Sequence, residues 1–506
     1  MFSNVYGADI AGLEARIIRI EADVSDGLPV FDMVGYLASA VKEARERVRI
    51  AVRNAGIRFP AKRITVNLSP ANVRKEGTSC DLPIAMALLV AFGYLPKEAM
   101  DGFMIVGELG LDGSIHGVKG VLAMVMEGQR AGIQNFLVPM ENVHEAALLP
   151  DIKVYGVRAL REVIDYFKGE KSFLPVTFSF ESYRREQRES LDFSDVKGMQ
   201  VSKRAIEIAV SGRHNLLMIG PPGSGKTMLA RRIPTIMPEL TWEECLDITR
   251  LYSACGILSE KEPVITRRPF RAPHHTATSS ALTGGGRNPV PGEITLASKG
   301  VLFLDELPEF SRTSIEVLRQ PLEEHKVMLS RVGHSYEYPC DCIFVAAMNP
   351  CRCGMYPNRQ KCRCSSGDIQ RYLSKLSEPI LDRLDICVET GMPEFQLYGT
   401  AGETSEEIRK RVQRTVNIQK ERYHKEAYHC NGELPESDLE KYCLLKKDER
   451  DYLKEFFLKE DCSMRRLSRV IRVARTIADM EESENIEERH VTEAICFRSI
   501  DKKYWG

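Results

Sequence analysis

The sequence lacks the features that mark membrane, secreted and broadly basic proteins. Its longest apolar stretch, Ile84–Leu95, is shorter than the roughly 20 residues that cross a bilayer and is typical of a core helix. The N-terminus has no basic segment followed by an apolar core, so we expect no signal peptide. The net charge of −1 argues against a DNA coat but is compatible with a local basic channel. We therefore expect a cytoplasmic protein without membrane contact.

Internal repeats and low-complexity segments are also lacking, and the 506 residues are too many for one domain, so we expect about three units. Residues 1–169 mix short strands with helices and predict an α/β unit, and the charged residues 170–192 predict a linker. Residues 193–395 alternate strands and helices, which is typical of a parallel sheet covered on both faces. Residues 396–506 are helical and charged, with a capping box at Thr404-Ser-Glu-Glu407, and predict a helical lid.

A glycine-rich turn after an apolar strand is the most specific motif. The segment Gly220-Pro-Pro-Gly-Ser-Gly-Lys-Thr227 follows the predicted strand Asn215–Ile219. Backbone N–H groups of such a turn point inward around phosphates, and the next helix adds its positive N-terminal end. Lys226 is expected to reach the β- and γ-phosphates, and Thr227 to ligate Mg²⁺. The motif predicts an ATP site whose turn depends on three glycines, Gly220, Gly223 and Gly225.

Two further apolar strands end in polar side chains. The first, Val301–Leu304, is expected to deliver Asp305 to Mg²⁺ and Glu306 to the attacking water. The alternative is a strand that ends in two solvated acids, which the P-loop about eighty residues upstream disfavours. The second strand, Ile343–Ala347, leads to Asn349, which either orients the water or touches the γ-phosphate. An ordinary Asn-Pro turn explains Asn349 equally well.

Two arginines are candidates for contacting phosphate. Arg383 carries a guanidinium group suited to charge on a transferring phosphoryl group, and such fingers often come from a neighbouring subunit. The alternative for Arg383 is an intramolecular salt bridge to Asp382 or Asp385. Arg465, in a predicted lid helix, is a candidate for a second phosphate sensor, with the adjacent Arg466 as its rival.

Four cysteines form two C-x-C pairs separated by eight residues: Cys351, Cys353, Cys362 and Cys364. Four thiolates satisfy the tetrahedral preference of Zn²⁺, and the loop between the pairs has too few apolar residues to order itself. The spacing within each pair is tighter than usual, and a disulfide pair or four free thiols are the alternatives. We favour structural zinc, whereas Cys340 and Cys342 precede a buried strand and are expected in the core.

The assembled motifs resemble the YifB/ComM family of magnesium-chelatase-like AAA+ ATPases over nearly the whole length. The most specific passage begins at Arg268-Pro-Phe-Arg-Ala-Pro-His-His and continues to Pro291-Gly-Glu-Ile-Thr-Leu-Ala-Ser-Lys-Gly300. The resemblance implies a ring hexamer in which Arg383 of one subunit completes the ATP site of its neighbour, while Arg465 senses nucleotide from the lid. It also implies that residues of the same chain serve ATP, namely Lys226, Thr227, Asp305, Glu306 and Asn349.

The same resemblance makes residues 1–169 similar to the proteolytic domain of Lon, which uses a Ser–Lys dyad. Lys75-Glu-Gly-Thr-Ser79 places Ser79 at the serine position. The position of the dyad lysine holds Val121, and Lys119 is rotated from it by about 200° if this segment opens a helix. We therefore expect a scaffold without proteolytic activity.

A predicted hairpin is the candidate for substrate contact. Residues 326–338 comprise an apolar strand, a Gly-His-Ser turn and an aromatic strand. In the broader clade, which includes the replicative MCM helicases, a hairpin at this place lines the ring channel. Lys326, Arg331 and His334 are the candidates for contact with a phosphate backbone. A surface hairpin with solvated charges is nearly as good an explanation.

The segment Phe270–Gly292, rich in His, Thr and Gly, is a candidate for a second channel loop. Its histidines, His274 and His275, resemble a pair of metal ligands. A turn beside Pro273 is the better explanation.

These patterns favour a hexameric ATPase of the helicase or branch-migration kind, acting in uptake or recombination of DNA as the resemblance implies. We expect ATP, Mg²⁺ and single-stranded or branched DNA as its ligands. One alternative is an ATPase that remodels proteins docked on the Lon-like domain. The other, a chelatase motor for metal insertion into a tetrapyrrole, is disfavoured because such subunits lack the Lon-like domain and the C-x-C pairs.

Overall fold

A computed structural model describes residues 1–180, 183, 191–259, 261–286, 289–331, 334–391, 402–460, 463–498 and 500–505, without the side chains at 331, 334, 459, 460, 501 and 502. The described residues form two compact units. The first comprises Met1–Gln187 and Trp242–Thr266, and the second comprises Arg188–Thr241 and Arg267–Gly506. Part of the predicted linker, at 181–182 and 184–190, lies outside the described residues.

The β-strands are numbered in chain order. They are β1 (Phe2–Ala11), β2 (Glu14–Ser25), β3 (Val30–Val34), β4 (Arg63–Ser69), β5 (Phe103–Ile105), β6 (Glu108–Leu109), β7 (Ile115–His116), β8 (Asn135–Pro139), β9 (Lys153–Val157), β10 (Leu216–Ile219), β11 (Phe270–Arg271), β12 (Gly284–Gly285), β13 (Val290–Pro291), β14 (Val301–Leu304), β15 (Lys326–Arg331), β16 (His334–Pro339), β17 (Ile343–Met348) and β18 (Ile386–Glu389).

The α-helices follow the same order. They are α1 (Ser39–Asn54), α2 (Asp81–Ala91), α3 (Val121–Arg130), α4 (Val143–Ala146), α5 (Leu160–Phe167), α6 (Gln200–Gly212), α7 (Lys226–Ile236), α8 (Trp242–Cys255), α9 (Ser279–Thr283), α10 (Glu293–Leu296), α11 (Arg312–Glu316), α12 (Arg319–Glu324), α13 (Ser366–Leu373), α14 (Glu378–Leu381), α15 (Ser405–Arg422), α16 (Leu439–Tyr442), α17 (Lys447–Glu460), α18 (Met464–Met480), α19 (Glu488–Cys496) and α20 (Ile500–Tyr504).

The first unit is built on a seven-stranded sheet in the order β3-β4-β2-β1-β5-β8-β9. β2 is antiparallel to both of its neighbours, and the other pairs are parallel. Helix α2 is buried along its whole length because it is apolar on nearly every side, and its one charge, Asp81, is paired with Arg47 at 2.7 Å. This is the core helix expected at Ile84–Leu95, with its helical part ending at Ala91.

The segment Trp242–Thr266 groups with the first unit, although the sequence interpretation placed it in the ATPase core. Its helix α8 packs against α3, where the backbone N–H of Gly120 donates to the carbonyl of Ser253 at 3.0 Å. The apolar face of α8, with Cys245, Ile248 and Leu251, is buried. Burial of this face against the Lon-like unit explains the grouping, which no local sequence pattern indicates.

The second unit contains a five-stranded parallel sheet in the order β11-β14-β17-β10-β18. The strands predicted at Asn215–Ile219, Val301–Leu304 and Ile343–Ala347 are confirmed to within one residue at each end. Each is apolar throughout because helices cover both faces of a parallel sheet. The loops that follow β10, β14 and β17 lie at the same edge of the sheet, where ligands of such folds bind.

The C-terminal helices pack on the sheet of the second unit. The capping box predicted at Thr404 and Glu407 starts α15, and Ser463 caps α18. Val470 and Ile477 of α18 share one hydrophobic cluster with strand residues such as Ile386. This shared core places the helices and the sheet in one unit. The boundary expected between residues 395 and 396 falls in 392–401, outside the described residues.

The predicted hairpin is confirmed as β15 and β16, which pair in antiparallel register from Lys326 opposite Pro339 to Arg331 opposite His334. His334 and Ser335 belong to β16, so the predicted Gly-His-Ser turn is corrected to a connection at 332–333, which lies outside the described residues. None of the helices in the described part of the chain combines the length and apolarity required to span a bilayer.

Candidate nucleotide site

The P-loop connects β10 to α7. Gly223 and Gly225 have φ angles of +76° and +81°, a left-handed conformation that glycine adopts without strain. A side chain at Gly220 would overlap Thr390, which follows the neighbouring strand β18. The glycines therefore permit both the turn and its close approach to the sheet, and α7 then begins at Lys226 with its free N–H groups toward the loop.

The Lys226 ammonium is buried within the P-loop. Nζ donates to the carbonyls of Gly220 at 2.7 Å and Pro221 at 3.0 Å, and to Asn349 Oδ1 at 3.3 Å. Burial lowers the pKa of Lys226, and the nearby carboxylates of the acidic pair oppose this shift. A phosphate oxygen in the loop would provide this buried cation with a charged partner.

Two oxygen ligands suited to Mg²⁺ lie side by side. Thr227 Oγ1, in the first turn of α7, donates to Asp305 Oδ2 at 2.6 Å, just after β14. Asp305 Oδ1 accepts the backbone N–H of Glu306 at 2.9 Å, which orients the carboxylate. Mg²⁺ is usually held by one or two protein oxygens, with phosphate and water oxygens as its other ligands. Thr227 and Asp305 fit this arrangement.

Glu306 has a φ angle of 52°, which is uncommon for a residue other than glycine. Its side chain is 56% exposed, and Oε2 lies 3.4 Å from Nδ1 of His275. An exposed carboxylate is accessible to water, as a general base requires. The sequence did not predict the contact with His275, because the histidine pair suggested metal ligands or, preferably, a turn. That turn is present, with the Ala277 N–H donating to the His274 carbonyl at 2.9 Å.

Asn349 follows β17, which lies between the strand of the acidic pair and the strand of the P-loop. The strand order therefore places Asn349 between the two halves of the site, where its Oδ1 meets Lys226. Burial raises the pKa of the Tyr372 hydroxyl on α13, and its interaction with the Asn349 backbone opposes this shift. This position is compatible with orienting a water molecule or sensing a phosphate.

The two arginine candidates meet at one carboxylate, Glu323. Arg383 is buried, and it donates from Nε to the Arg319 carbonyl at 3.0 Å, from Nη1 to the Pro379 carbonyl at 2.7 Å and from Nη2 to Glu323. Arg465 is 61% exposed, and its Nη2 lies 3.9 Å from Glu323. The intramolecular partner of Arg383 is therefore an acid on α12 that sequence analysis did not consider, instead of either neighbouring aspartate.

The four cysteines of the C-x-C pairs come together in a cluster that we call the cysteine knuckle (residues 351–364). All four sulfur atoms lie within 4.8 Å of one another, and three of the separations are 3.4, 3.6 and 3.8 Å. A tetrahedral Zn²⁺ ion with Zn–S bonds of ~2.3 Å places sulfur atoms about 3.8 Å apart. The cysteines are not bridged by disulfides. The cluster thus fits a four-coordinate zinc site.

Backbone N–H groups support metal ligation in the cysteine knuckle. Burial would raise the pKa of the Cys353 thiol, but hydrogen bonds from the backbone of Met355 and Arg363 lower it to about 6. At Cys362 a backbone hydrogen bond from Cys364 would lower the pKa, but burial and the sulfur atoms of Cys353 and Cys351 raise it to about 11, so the negative charge concentrates on Cys353. Such hydrogen bonds stabilise the thiolate, which is the form that binds metal. Cys340 and Cys342, by contrast, are buried next to β17, as expected for core residues.

Three family profiles match successive parts of the chain. The profile "Magnesium chelatase, subunit ChlI" matches residues 192–397, "Subunit ChlI of Mg-chelatase" matches residues 20–142, and "Magnesium chelatase, subunit ChlI C-terminal" matches residues 402–498. The first of these includes the P-loop, the acidic pair and the cysteine knuckle.

Relatives that match nearly the whole chain show the family to which it belongs. The chain is 40% identical over 498 residues to the YifB protein of Salmonella typhimurium. The aligned residues cover 97% of this chain and 96% of that protein. It is 39% identical over 505 residues to the competence protein ComM of Haemophilus influenzae, covering 98% and 97% respectively. The chain belongs to the YifB/ComM family of magnesium-chelatase-like AAA+ ATPases.

Membership of the YifB/ComM family implies ATPase activity that uses ATP and Mg²⁺. The Lon-like fold predicted for the N-terminal part is also confirmed. A Lon protease of Mycolicibacterium smegmatis is 26% identical over 168 residues, which cover 31% of this chain and 21% of that protein.

The Lon-like unit of this YifB/ComM chain buries the two expected dyad positions. Ser79 is buried and its Oγ donates to the Ala8 carbonyl at 2.9 Å. Val121, at the lysine position, is the buried first residue of α3. Lys119 precedes α3 instead of lying on it, so the helical rotation assumed from the sequence does not apply. Its aliphatic stem lies against Gly256 of the inserted segment.

Proposed function

We propose that the chain is a cytoplasmic, ring-forming ATPase that couples ATP hydrolysis to remodelling of DNA, of the helicase or branch-migration type. The observation that carries the ATPase part is the convergence of Lys226, Thr227, Asp305 and Asn349 at one edge of a parallel sheet. The DNA part is supported by a relative of 39% identity that is named a competence protein. We extend that association with DNA uptake to this chain.

Each residue of the nucleotide site has one role in this proposal. Lys226 and the P-loop N–H groups bind the β- and γ-phosphates. Thr227 and Asp305 hold Mg²⁺, which neutralises charge on the phosphates when bound. Glu306 accepts the proton of the attacking water, and Asn349 orients that water.

The proposal includes a homohexamer, because Arg383 is assigned to the ATP site of the neighbouring subunit and Arg465 to the lid of its own. Glu323 neutralises Arg383 within the chain and lies close to Arg465. If the Arg383 guanidinium group contacted ATP, it would exchange the Glu323 carboxylate for a phosphate oxygen. The finger role of Arg383 therefore requires its release from Glu323.

The hairpin of β15 and β16 is the proposed DNA contact. Lys326 lies at its base, opposite Pro339, and its Nζ lies 3.4 Å from Glu337. Arg331 and His334 pair at the far end of the strands, and their side chains lie outside the described residues. We therefore assign phosphate contact mainly to Arg331 and His334, with a smaller part for Lys326.

The Lon-like unit is proposed to be a scaffold without protease activity, because Ser79 bonds to a backbone carbonyl and Val121 offers no base. We also propose that the cysteine knuckle binds a structural Zn²⁺ through Cys351, Cys353, Cys362 and Cys364.

The deciding experiment is ATP hydrolysis measured across a panel of DNA structures: duplex, single-stranded, forked and four-way junction. Single-stranded or branched DNA is expected to stimulate turnover, and the affinity should fall steeply with added salt. The variant Lys226→Ala provides the inactive control. Turnover that no DNA stimulates would reject the DNA part and favour protein remodelling. Absence of ATP hydrolysis under every assembly condition would reject the whole proposal.

A further inference from the structure

The cysteine knuckle lies directly against the P-loop. Gly354, between the two C-x-C pairs, has a φ angle of +76°, and a Cβ atom there would overlap Cδ of Pro222. Pro222 lies between Gly220 and Gly223, in the turn that surrounds the phosphates. Only glycine permits this close approach, so the position of the knuckle affects the position of the phosphate-binding loop.

The cysteine knuckle is also continuous with the residue after β17. Asn349 is separated from Cys351 by Pro350 alone, and Cys351 is fully buried. Tyr372 of α13, whose hydroxyl interacts with the Asn349 backbone, lies on the other side of this short connection. A shift of Cys351 would therefore move Asn349, whose side chain meets the Lys226 ammonium.

A third contact supports the cysteine knuckle from the C-terminal helix α20. The rings of Tyr356 and Tyr504 pack edge to face at 5.9 Å, and Tyr504 Oη donates to Glu389 at 2.6 Å. The next residue, Thr390, meets Ser224 of the P-loop at 2.9 Å through their hydroxyl groups. The knuckle thus lies between the P-loop and a helix that contacts the end of the neighbouring strand.

Apart from the sulfur cluster and the ring of Tyr356, the cysteine knuckle has few side chains that bury apolar surface. Residues between the two pairs are mostly polar and exposed, so they bury little apolar surface. A metal ion supplies binding energy that becomes folding energy, because the four ligands are brought together only in the folded loop. Without the ion, thiolates 3.4–3.8 Å apart would repel one another.

We propose that metal occupancy of the cysteine knuckle controls the nucleotide site: the zinc-bound knuckle holds Pro222 and Asn349 in place, and loss of zinc weakens ATP binding and hydrolysis. This inference rests on the proposed ATPase function and on the zinc site, and adds a regulatory connection between them. It predicts that ATP turnover responds to zinc although zinc takes no part in the chemistry.

The first test compares the full chain with the variants Cys353→Ser and Cys362→Ser, with Cys496→Ser as control because that cysteine is exposed in α19 outside the knuckle. Zinc content is measured by mass spectrometry, and ATP binding with a fluorescent ATP analogue. We expect about one zinc ion per wild-type chain and its loss in the two knuckle variants. Their ATP affinity and kcat should fall by roughly tenfold or more, as when supporting residues of a site are removed. The control should match the wild type.

The second test separates metal binding from contact with the P-loop. Gly354→Ala keeps all four cysteines but places a side chain against Pro222. Gly132→Ala is the matched control, because Gly132 also has a positive φ angle (+86°) and nothing lies within 4 Å of a Cβ atom there. We expect Gly354→Ala to retain zinc and to lower the melting temperature by only a few degrees, while ATP affinity falls by roughly tenfold. The control should retain both zinc and affinity.

The outcomes distinguish the two proposals. A zinc-loaded wild type without ATP hydrolysis contradicts the proposed function. An active wild type that contains no zinc, or whose KM and kcat stay unchanged after zinc loss, overturns the inference and leaves the ATPase assignment intact. If the cysteine variants unfold entirely, Gly354→Ala decides: unchanged ATP binding with zinc retained would overturn the inference.

Discussion

Glu306 combines a left-handed backbone with an exposed carboxylate at the end of β14. A residue other than glycine in this conformation costs about 1–3 kcal/mol, and such strain concentrates at functional sites. The buried strand before it and the turn after it hold Glu306 in this conformation. The same turn places the acid beside Asp305, so metal ligand and base come from consecutive residues.

The variant Glu306→Gln is expected to bind ATP but to hydrolyse it about 10²–10⁴-fold more slowly, because the amide cannot accept the proton of water. Steady-state turnover and binding of an ATP analogue measure the two effects. Glu309→Gln is the control, since Glu309 is an exposed acid three residues along the chain. Normal hydrolysis by Glu306→Gln would show that another residue is the base.

At the scale of secondary-structure elements, Asp385 immediately precedes β18 and connects this strand to the start of β10 and to helix α18. Its carboxylate accepts the backbone N–H of Asn215 at 2.9 Å and pairs with Arg469 of α18 at 2.5 Å. Burial would raise the pKa of Asp385, but the charge of Arg469 and the neighbouring His214 hold it well below its usual range. Asp385 therefore connects the P-loop strand to the helices packed on the sheet.

We expect Asp385→Asn to lower the free energy of unfolding by about 3–5 kcal/mol at neutral pH, because Arg469 loses its buried partner. Since the folded state depresses this pKa, the stabilisation is present above pH 3.8 and is lost as the pH falls below that value. Urea denaturation between pH 3 and 8 measures the difference between variant and wild type. The exposed Asp448→Asn should change stability by less than about 0.5 kcal/mol. A constant difference across this range would contradict the assignment.

The hairpin of β15 and β16 yields a prediction at the same scale. Arg331→Ala should weaken DNA binding without sequence preference and reduce the slope of log affinity against log salt by about 1. Lys326→Ala should have a smaller effect, because Lys326 lies at the hairpin base beside Glu337. DNA binding titrated at several salt concentrations tests both. Equal slopes for Arg331→Ala and wild type would exclude this contact.

At the scale of the whole molecule, Arg383 has a structural role if it acts within its own chain and a catalytic role if it acts between the subunits of a ring. Within one chain Arg383 is bound to Glu323 and to two backbone carbonyls on α12 and α14. A purely structural role would be satisfied by these contacts. A finger role requires a second subunit whose P-loop receives the guanidinium group.

Mixing two inactive variants distinguishes these roles. Lys226→Ala lacks a working P-loop and Arg383→Ala lacks the finger, so each alone should be inactive. If Arg383 acts between subunits, mixed rings contain interfaces with one intact P-loop and one intact arginine, and part of the ATPase activity returns. Turnover measured after mixing, with each variant remixed with itself as control, tests this. No recovery in rings shown to be mixed would assign Arg383 to its own chain.

Much of the fold was predictable because it depends on local patterns. The strands β10, β14 and β17, the helix start at Lys226 and the capping box at Thr404 follow from short-range periodicity and from side chains three residues apart. The grouping of Trp242–Thr266 with the Lon-like unit was not predictable. An amphipathic helix shows that it buries one face but does not show against which unit.

By itself, the sequence determined the phosphate-binding turn, the acidic pair and the two cysteine pairs, since each is carried by residues adjacent or nearly adjacent in the chain. The Lon-like and AAA+ fold classes followed from the resemblance of longer motifs to a known family. Only the tertiary structure decided that Arg383 pairs with Glu323, that His275 lies beside Glu306 and that the cysteine knuckle lies against Pro222. These contacts join residues 30 or more positions apart, where many partners are chemically equivalent. The order of strands in the sheet and the packing of loops at its edge determine which of these possible partners each residue contacts.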